Sequence, residues 1–346
     1  MFINTLPLPI SGQINHICHI SDIHIRAGIE SKNDKCSRFS EYINVLDKIS
    51  SFFVKNYKNN DLCICITGDI LHDNRKAGAP CIELFYKIIN KLANIAPVYI
   101  IRGNHDYNQS SMESQDMITA LMSGFQEVQG NHGNIAYLSK TGLYNAANVC
   151  FGVVAIQDVL KSGNTSGLND NLPPFPNTPK SANNNSQINI ALFHGDVIRS
   201  TTSIDWITKN NSYDYILLGD LHCQHVCGGG EFNVNFDSSI NEDNVYHLST
   251  YSKNNDKVMW GYAGSTIQQN FGESFVGHGF LMWDLTNQKV KTYHVKNDYG
   301  FLTCMIDPIT QKVMFNASFA KEQNVCQSWN NIDNLKSRSW IPSIIR

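Results

Sequence analysis

Five short stretches of this chain carry side chains that could do chemistry together. They read SDIH at 21–24, GDILHDN at 68–74, GNHD at 103–106, FHGD at 193–196 and GDLH at 219–222. Asp22 and His24 stand two residues apart, and in an extended chain they point to the same side. Asp69 follows a glycine and is followed in turn by His72, Asp73 and Asn74. Asn104, His105 and Asp106 form one run, His194 precedes a glycine, and Asp220 and His222 repeat the spacing of the first pair. Singly, each is a polar turn, a helix cap or a satisfied core histidine, since Asn and Asp favour turns. Together they are carboxylates, amides and imidazoles that would be costly to bury unpaired. Divalent cations resolve that cost, and mixed oxygen and nitrogen ligands suit Mn, Fe, Zn or Mg. A different metal reading joins His222 and His225 to Cys223 and Cys227 as a zinc cluster. Its C-x3-C spacing and the lack of a following Cys/His pair weigh against it.

Each stretch follows a short apolar run, which is how a polar loop leaves a buried strand. Asn15–Ile20, Leu62–Ile66, Val98–Ile101, Ile188–Phe193 and Tyr215–Leu218 read as those strands. Between the first of them, Phe39, Ile43, Leu46, Ile49 and Phe53 recur at helical spacing, as do Ile82, Phe85, Ile88, Ile89 and Leu92. Strand–helix–strand alternation predicts an α/β sheet, whose carboxyl edge gathers such loops into one site. Further strands are predicted over 149–154, 258–262, 278–283 and 291–295. Residues 161–187, rich in Asn, Ser and Pro, read as a loop insertion. Residues 228–257 read as a second insertion, in the form of an extended hairpin.

Composition narrows the class. The chain has 346 residues, 42% hydrophobic and 16% charged, with a net charge of −3. That is a globular composition without a basic tail, and it weakens nucleic-acid binding without excluding it, because bound cations add local positive charge. No apolar stretch approaches the ~20 residues that span a bilayer, so no membrane is expected as partner. The start, MFINTLPLPI, lacks the features of an export signal. The ten cysteines are therefore expected as free thiols, with Cys63 and Cys65 in the core.

In this order the motifs resemble those of the calcineurin-like metallophosphoesterases: D-x-H, G-D-x-x-x-[DN], G-N-H-D, a single His and G-x-x-H. GDILHDNRK at 68–76 is similar to the DNA-repair nuclease branch, the SbcD-type subunits that partner an SMC-type ATPase. GYAGSTIQQNFGES at 261–274 and HGFLMWDL at 278–285 resemble its phage and large-virus members. The similarity runs from about residue 15 to about 300.

The resemblance implies an α/β fold: a two-sheet β-sandwich flanked by helices, with the metal site at the carboxyl ends of the strands. Residues 1–300 would form the nuclease domain. Residues 301–346 would be an extension, a reduced or truncated capping region. Two divalent metal ions are implied, Mn foremost and Mg as the other choice. Asp22, His24 and His222 would hold one ion, Asn104 and His194 the other, with Asp69 bridging. His105 would serve the leaving oxygen, Asp106 would orient His105 through a ring nitrogen, and His72 would lie near DNA phosphates. Arg26, Arg75 and Lys76 are the expected DNA contacts, with Arg102 and Arg199 as further basic residues near the loops. Asp220 stands where the family's usual motif has a histidine; as a ligand it would be harder and would favour Mn or Mg.

The implied activity is that of a metal-dependent DNA exo/endonuclease in double-strand-break repair or recombination. DNA, an SbcC-like ATPase subunit and a second copy of the chain are the implied partners. The homodimer would form through helices at 79–94 and 111–125. The expected location is intracellular, in cytoplasm, nucleus or nucleoid, with a viral source in view. Two other readings stay open: a phosphomonoesterase or small-molecule phosphodiesterase of the same superfamily, and a DNA-end scaffold that no longer cuts.

Overall fold

The computed structural model describes residues 4–26, 38–57, 60–75, 77–107, 116–128, 134–161, 173–178, 187–198, 204–208, 213–232, 244–253, 257–270, 272–274 and 277–301. Beyond 301 it describes only 304–306, 313–315 and 344–345. In chain order the elements begin with β1 (Asn4–Thr5), β2 (His16–Ile20), α1 (Arg38–Asn56), β3 (Leu62–Thr67), α2 (Ala79–Ala93) and β4 (Val98–Ile101). There follow α3 (Met117–Val128), β5 (Ile135–Tyr137), β6 (Gly142–Ala146), β7 (Val149–Val153), α4 (Ile156–Lys161), β8 (Ile188–His194) and α5 (Ile204–Thr208). The series continues with β9 (Tyr215–Gly219), β10 (His225–Cys227), β11 (Gly229–Phe232), β12 (Val245–Lys253), β13 (Met259–Tyr262), β14 (Gly279–Asp284) and β15 (Lys289–Val295).

These strands build two sheets. One runs β1-β6-β7-β8-β9-β13-β10, the other β11-β12-β15-β14-β2-β3-β4-β5. Within them β2, β3 and β4 lie parallel, and so do β7, β8, β9 and β13. Within each sheet the carboxyl ends of these strands therefore rise to one edge.

The apolar runs are continuous because both faces of each sheet are covered. Successive side chains alternate between layers. Ile17, Cys63, Cys65, Tyr99 and Ile101 enter the core between the sheets, against Val149, Phe151, Ile190, Leu192 and Leu217. Cys18, Ile64, Ile66, Val98 and Ile100 face the other way, under α1, α2 and α3. The helices present the stripes that the spacing predicts: Leu46, Ile49 and Phe53 from α1, and Phe85, Ile88, Ile89 and Leu92 from α2, are buried there. A third cluster, on the far face of the sheet that holds β8, β9 and β13, takes Val159 of α4, Ile207 of α5 and Phe175. The result is the expected fold class, a mixed α/β sandwich with flanking helices.

Several expectations need adjusting. The chain from 173 to 178 lies inside the predicted loop insertion, yet Phe175 is buried against Phe193, Trp206 and Tyr213. The rest of that insertion between 162 and 186 lies outside the described residues. The hairpin expected over 228–257 has its arms in β11 and β12, which pair antiparallel; 233–243 lies outside the described residues. The helix expected over 111–125 is described as α3, from Met117. Its Ile118, Leu121, Met122 and Phe125 are buried in the chain's own core, with Phe125 edge-on to Tyr86 of α2 at 4.6 Å. Cys63 and Cys65 are buried free thiols, as expected. Among the described residues no helix is long and apolar enough to cross a membrane.

Candidate metal centre

The five polar stretches meet at the carboxyl edge where the two sheets come together. SDIH leaves β2, GDILHDN leaves β3, GNHD leaves β4, His194 closes β8, and GDLH leaves β9. Packing so many loops at one point strains the backbone. Asp22, His24, Asp69 and Asp220 all adopt left-handed conformations, with φ of 50°, 48°, 52° and 100°. Such strain persists only where the surroundings over-determine it, and it gathers at functional sites. Crowding also accounts for two glycines. A Cβ on Gly103 would fall 2.1 Å from Asp69 Oδ1, and one on Gly219 2.1 Å from the Thr67 carbonyl oxygen.

Two groups of potential ligands result. In the first, the Nε2 atoms of His24 and His222 face each other at 3.0 Å. Asp22 Oδ1 lies 3.8 Å from the former and 3.9 Å from the latter, and it is buried without a hydrogen-bond partner. In the second, His194 Nε2 lies 2.9 Å from Asn104 Oδ1 and 3.3 Å from Asp69 Oδ1. Asp69 stands between the groups, because its other oxygen is 3.5 Å from His24 Nε2. Asp22–His24–His222 and Asp22–Asp69–His194 each bring three ligand atoms within 4.8 Å of one another.

The protonation pattern shows what this arrangement lacks. His194 Nδ1 lies 2.7 Å from the Thr67 carbonyl oxygen and donates to it. In a neutral ring Nε2 would then carry a lone pair aimed at another acceptor, the Asn104 oxygen. A proton on Nε2 resolves the clash: burial opposes it, but the Asp69 carboxylate overrides burial and holds His194 well above the usual imidazole range. Turning the Asn104 amide also resolves it, and its nitrogen then lies 3.2 Å from both Asp69 oxygens. In the other group burial pushes His24 down to about 2, so its ring is neutral and accepts. With no cation between the two rings His222 donates to it; burial again opposes the charge, and the hydrogen bond to Glu273 raises the pKa. Burial pushes Asp22 up to about 6. At Asp69 burial also pushes upward, but the adjoining His194 imidazole brings the net pKa below the usual carboxylate range. In both groups ligand atoms face each other closely enough to need either a shared proton or a cation between them, and a divalent cation would put two charges there. The donor set fits a pair of such cations.

The remaining predicted residues divide. His105 is 40% exposed at the opening, with Nε2 4.0 Å from Asp69 Oδ2. Its Nδ1 is 2.6 Å from the carbonyl oxygen of His72, and the two rings stack at 5.4 Å. The expected Asp106–His105 bond is therefore replaced. Asp106 instead accepts from the backbone N–H groups of Leu71 (2.8 Å), Gly103 (3.0 Å) and Ile70 (3.3 Å). It is fully buried and ties the loop after β3 to the loop after β4; burial pushes its carboxyl up to about 7. Asp220 lies beside the second group, with Oδ1 3.8 Å from His194 Nε2, and its backbone N–H donates to Asp22 Oδ2 at 3.1 Å.

Arg26 lies half-buried two residues beyond His24, near enough to His72 to depress its pKa after burial has done so. Arg75 is exposed, 3.8 Å from Asp73. Lys76 and Arg199 lie outside the described residues. Arg102 is no phosphate contact. It is buried and bonded to Asp116 at 2.5 Å, Tyr137 at 2.7 Å and Gln157 at 3.0 Å. The zinc-cluster reading also fails, because His222 turns Nε2 to His24 and Nδ1 to Glu273, while His225 Nε2 meets Cys227 Sγ at 3.1 Å.

Glu273 is the residue that motif reasoning missed. Its Oε1 lies 2.8 Å from His222 Nδ1. The signal available was a lone carboxylate in GYAGSTIQQNFGES, a stretch with no metal-ligand spacing.

Comparison with known proteins identifies the family. Residues 16–224 match the pattern of the calcineurin-like phosphoesterases. An uncharacterized protein of Acanthamoeba polyphaga mimivirus is 28% identical over 350 residues, covering 96% of this chain and 22% of its own length. The chain thus spans about a fifth of that relative. A protein of Invertebrate iridescent virus 6, provisionally named a phosphoesterase, is 29% identical over 96 residues, 27% of this chain and 31% of its own. The crystal structure of a dimetal phosphatase from Danio rerio aligns with 78% of this chain and 92% of its own at 12% identity, with a TM-score of 0.40. The chain belongs to the calcineurin-like phosphoesterase family.

Proposed function

We propose that this phosphoesterase is a metal-dependent nuclease that hydrolyses phosphodiester bonds in DNA. The observation that carries the chemistry is the pair of ligand groups sharing Asp69, each with acceptor atoms facing across a gap. Asp22, His24 and His222 would hold one divalent cation, and Asn104 and His194 the other, with Asp69 between them and Asp220 beside the second. When bound, such a pair neutralises charge on a phosphodiester and activates water for in-line attack. His105 works from the open side. The His72 carbonyl fixes its ring, so Nε2 points over Asp69 to where a leaving sugar oxygen would emerge. There it delivers a proton or stabilises the developing charge. Asp106 keeps the two loops in register, so His105 and Asp69 stay within reach of one substrate. Asp220, a hard oxygen donor, favours Mn or Mg.

DNA as substrate is supported by the likeness of GDILHDNRK and of 261–285 to the repair-nuclease branch, and by Arg26, His72 and Arg75 around the opening. The same likeness supports a role in break repair or recombination inside the cell, with an SMC-type ATPase as partner. A homodimer would have to use the outward faces of α2 and α3, since their apolar faces are buried. Light scattering at micromolar concentration tests it, and a monomer there argues against it.

The commitment of Arg102 to Asp116 favours a second reading, the same chemistry on small phosphoesters. Asp220 in place of histidine favours a third, a DNA-binding scaffold without turnover. End-labelled linear and hairpin DNA, incubated with Mn, with Mg and with chelator, separates them. Mn-dependent cutting that His105→Ala and Asp69→Asn abolish supports the nuclease. Intact DNA together with hydrolysis of a nitrophenyl phosphoester supports the small-substrate enzyme. DNA binding with no turnover of either supports the scaffold.

A further inference from the structure

We infer that Glu273 is a positioning residue for His222: its carboxylate takes the Nδ1–H and so turns the Nε2 lone pair toward His24 and Asp22. This rests on the metal-binding reading above. Glu273 stands 51 residues beyond His222, in the loop after β13, and the fold brings Oε1 to 2.8 Å from Nδ1. The carboxylate is itself clamped. Oε2 accepts from the Gln269 backbone N–H at 2.7 Å, and Oε1 accepts from Asn270 Nδ2 at 2.7 Å. The loop is tied to the first polar stretch, because Gln269 Nε2 donates to the Ile23 carbonyl at 3.2 Å and Ser265 bridges to Ser21. To swing away, Glu273 would give up the hydrogen bonds to Gln269 and Asn270 as well as that to His222, and the loop that carries it is anchored beside Asp22 and His24.

The other centre uses a different device for the same end. His194 is held in the same tautomer by a backbone carbonyl, that of Thr67. A carbonyl fixes the ring but adds no net charge. A carboxylate fixes the ring and also makes it a stronger donor to a cation. The two centres are thus oriented by unlike partners, and Glu273 serves only the Asp22–His24–His222 side.

The test is direct Mn uptake by the purified full chain, followed calorimetrically, with thermal melting of the metal-free protein alongside. Glu273→Ala is expected to weaken one of two Mn sites about 10–100-fold and leave the other within about two-fold. Glu273→Gln, whose amide oxygen still accepts from Nδ1, is expected to fall between Ala and wild type. Both variants are expected to melt with the wild type when metal-free. Wild-type affinity at both sites in Glu273→Ala overturns the inference. So does equal weakening at both sites with a lowered melting point and no rescue by Gln, which marks a purely structural residue. A wild type that takes up no Mn overturns the metal reading, and this inference with it.

Discussion

The core between the sheets and the loop edge above it share strands, yet they are built on opposite terms. In the core Ile17, Cys63, Phe151 and Trp283 are completely buried and interlock without net charge. At the edge, a few residues further along the same strands, Asp22 and Asp69 are equally buried, lie beside one another and stand on left-handed backbone. Core burial stabilises the fold at about 25 cal/mol per Å² of apolar surface. Edge burial of carboxylates works against it. The difference teaches where this molecule keeps stability and where it gives stability up for function.

The comparison can be broken most sharply at Asp69. Asp69→Asn keeps the shape and tolerates the left-handed backbone. It is expected to cut phosphoester hydrolysis on the order of 10³-fold, roughly 4 kcal/mol of barrier, while the metal-free protein melts no lower than wild type. A large drop in melting temperature would show that the edge is stabilising after all. Trp283→Ala should do the reverse. Loss of this side chain, the largest fully buried one among the described residues, is expected to cost about 3–5 kcal/mol in denaturant unfolding. Mn affinity of the protein that stays folded should be unchanged.

Asp106 and cation binding sharpen the boundary. Asp106→Ala leaves three buried backbone donors unpaired, which is expected to cost about 1–3 kcal/mol and to weaken hydrolysis as well, because both loops carry site residues. Mn at about 100 times its Kd is expected to stabilise the wild type by about 2.7 kcal/mol and Asp69→Asn by much less. Differential scanning calorimetry with and without chelator reads both. The smallest effect is expected at the rim. Arg75→Ala should reduce the salt slope of DNA binding by about one, whereas Arg102→Ala should destabilise the fold and leave that slope alone.

Much of this architecture is legible in the residue order. The strands under SDIH, GDILHDN, GNHD, FHGD and GDLH are readable because a short unbroken apolar run is what a strand buried on both faces requires. Strands β1 and β5 are not, because strands as short as Asn4–Thr5 and Ile135–Tyr137 carry too little periodicity to register. The loop assigned to 161–187 hid Phe175, whose burial depends on Trp206 and Tyr213 from elsewhere in the chain.

The site divides the same way. Order and spacing along the chain pick out Asp22, His24, Asp69, Asn104, His194, Asp220 and His222 as candidate ligands. They are ligand types at strand ends, and within each sheet parallel strands bring their ends to one edge; how the two sheets pack brings the two sets together. The partners of those residues depended on the tertiary structure alone. Asp106 lies next to His105 in sequence but turns to the amides of Ile70, Leu71 and Gly103. Arg102 turns inward to Asp116, and Glu273 reaches His222 across 51 positions. Residue type and local spacing determine which groups can bind a cation, because those are properties of a few adjacent atoms. Hydrogen bonds work only within about 3 Å, so which group orients which is decided by how distant segments pack.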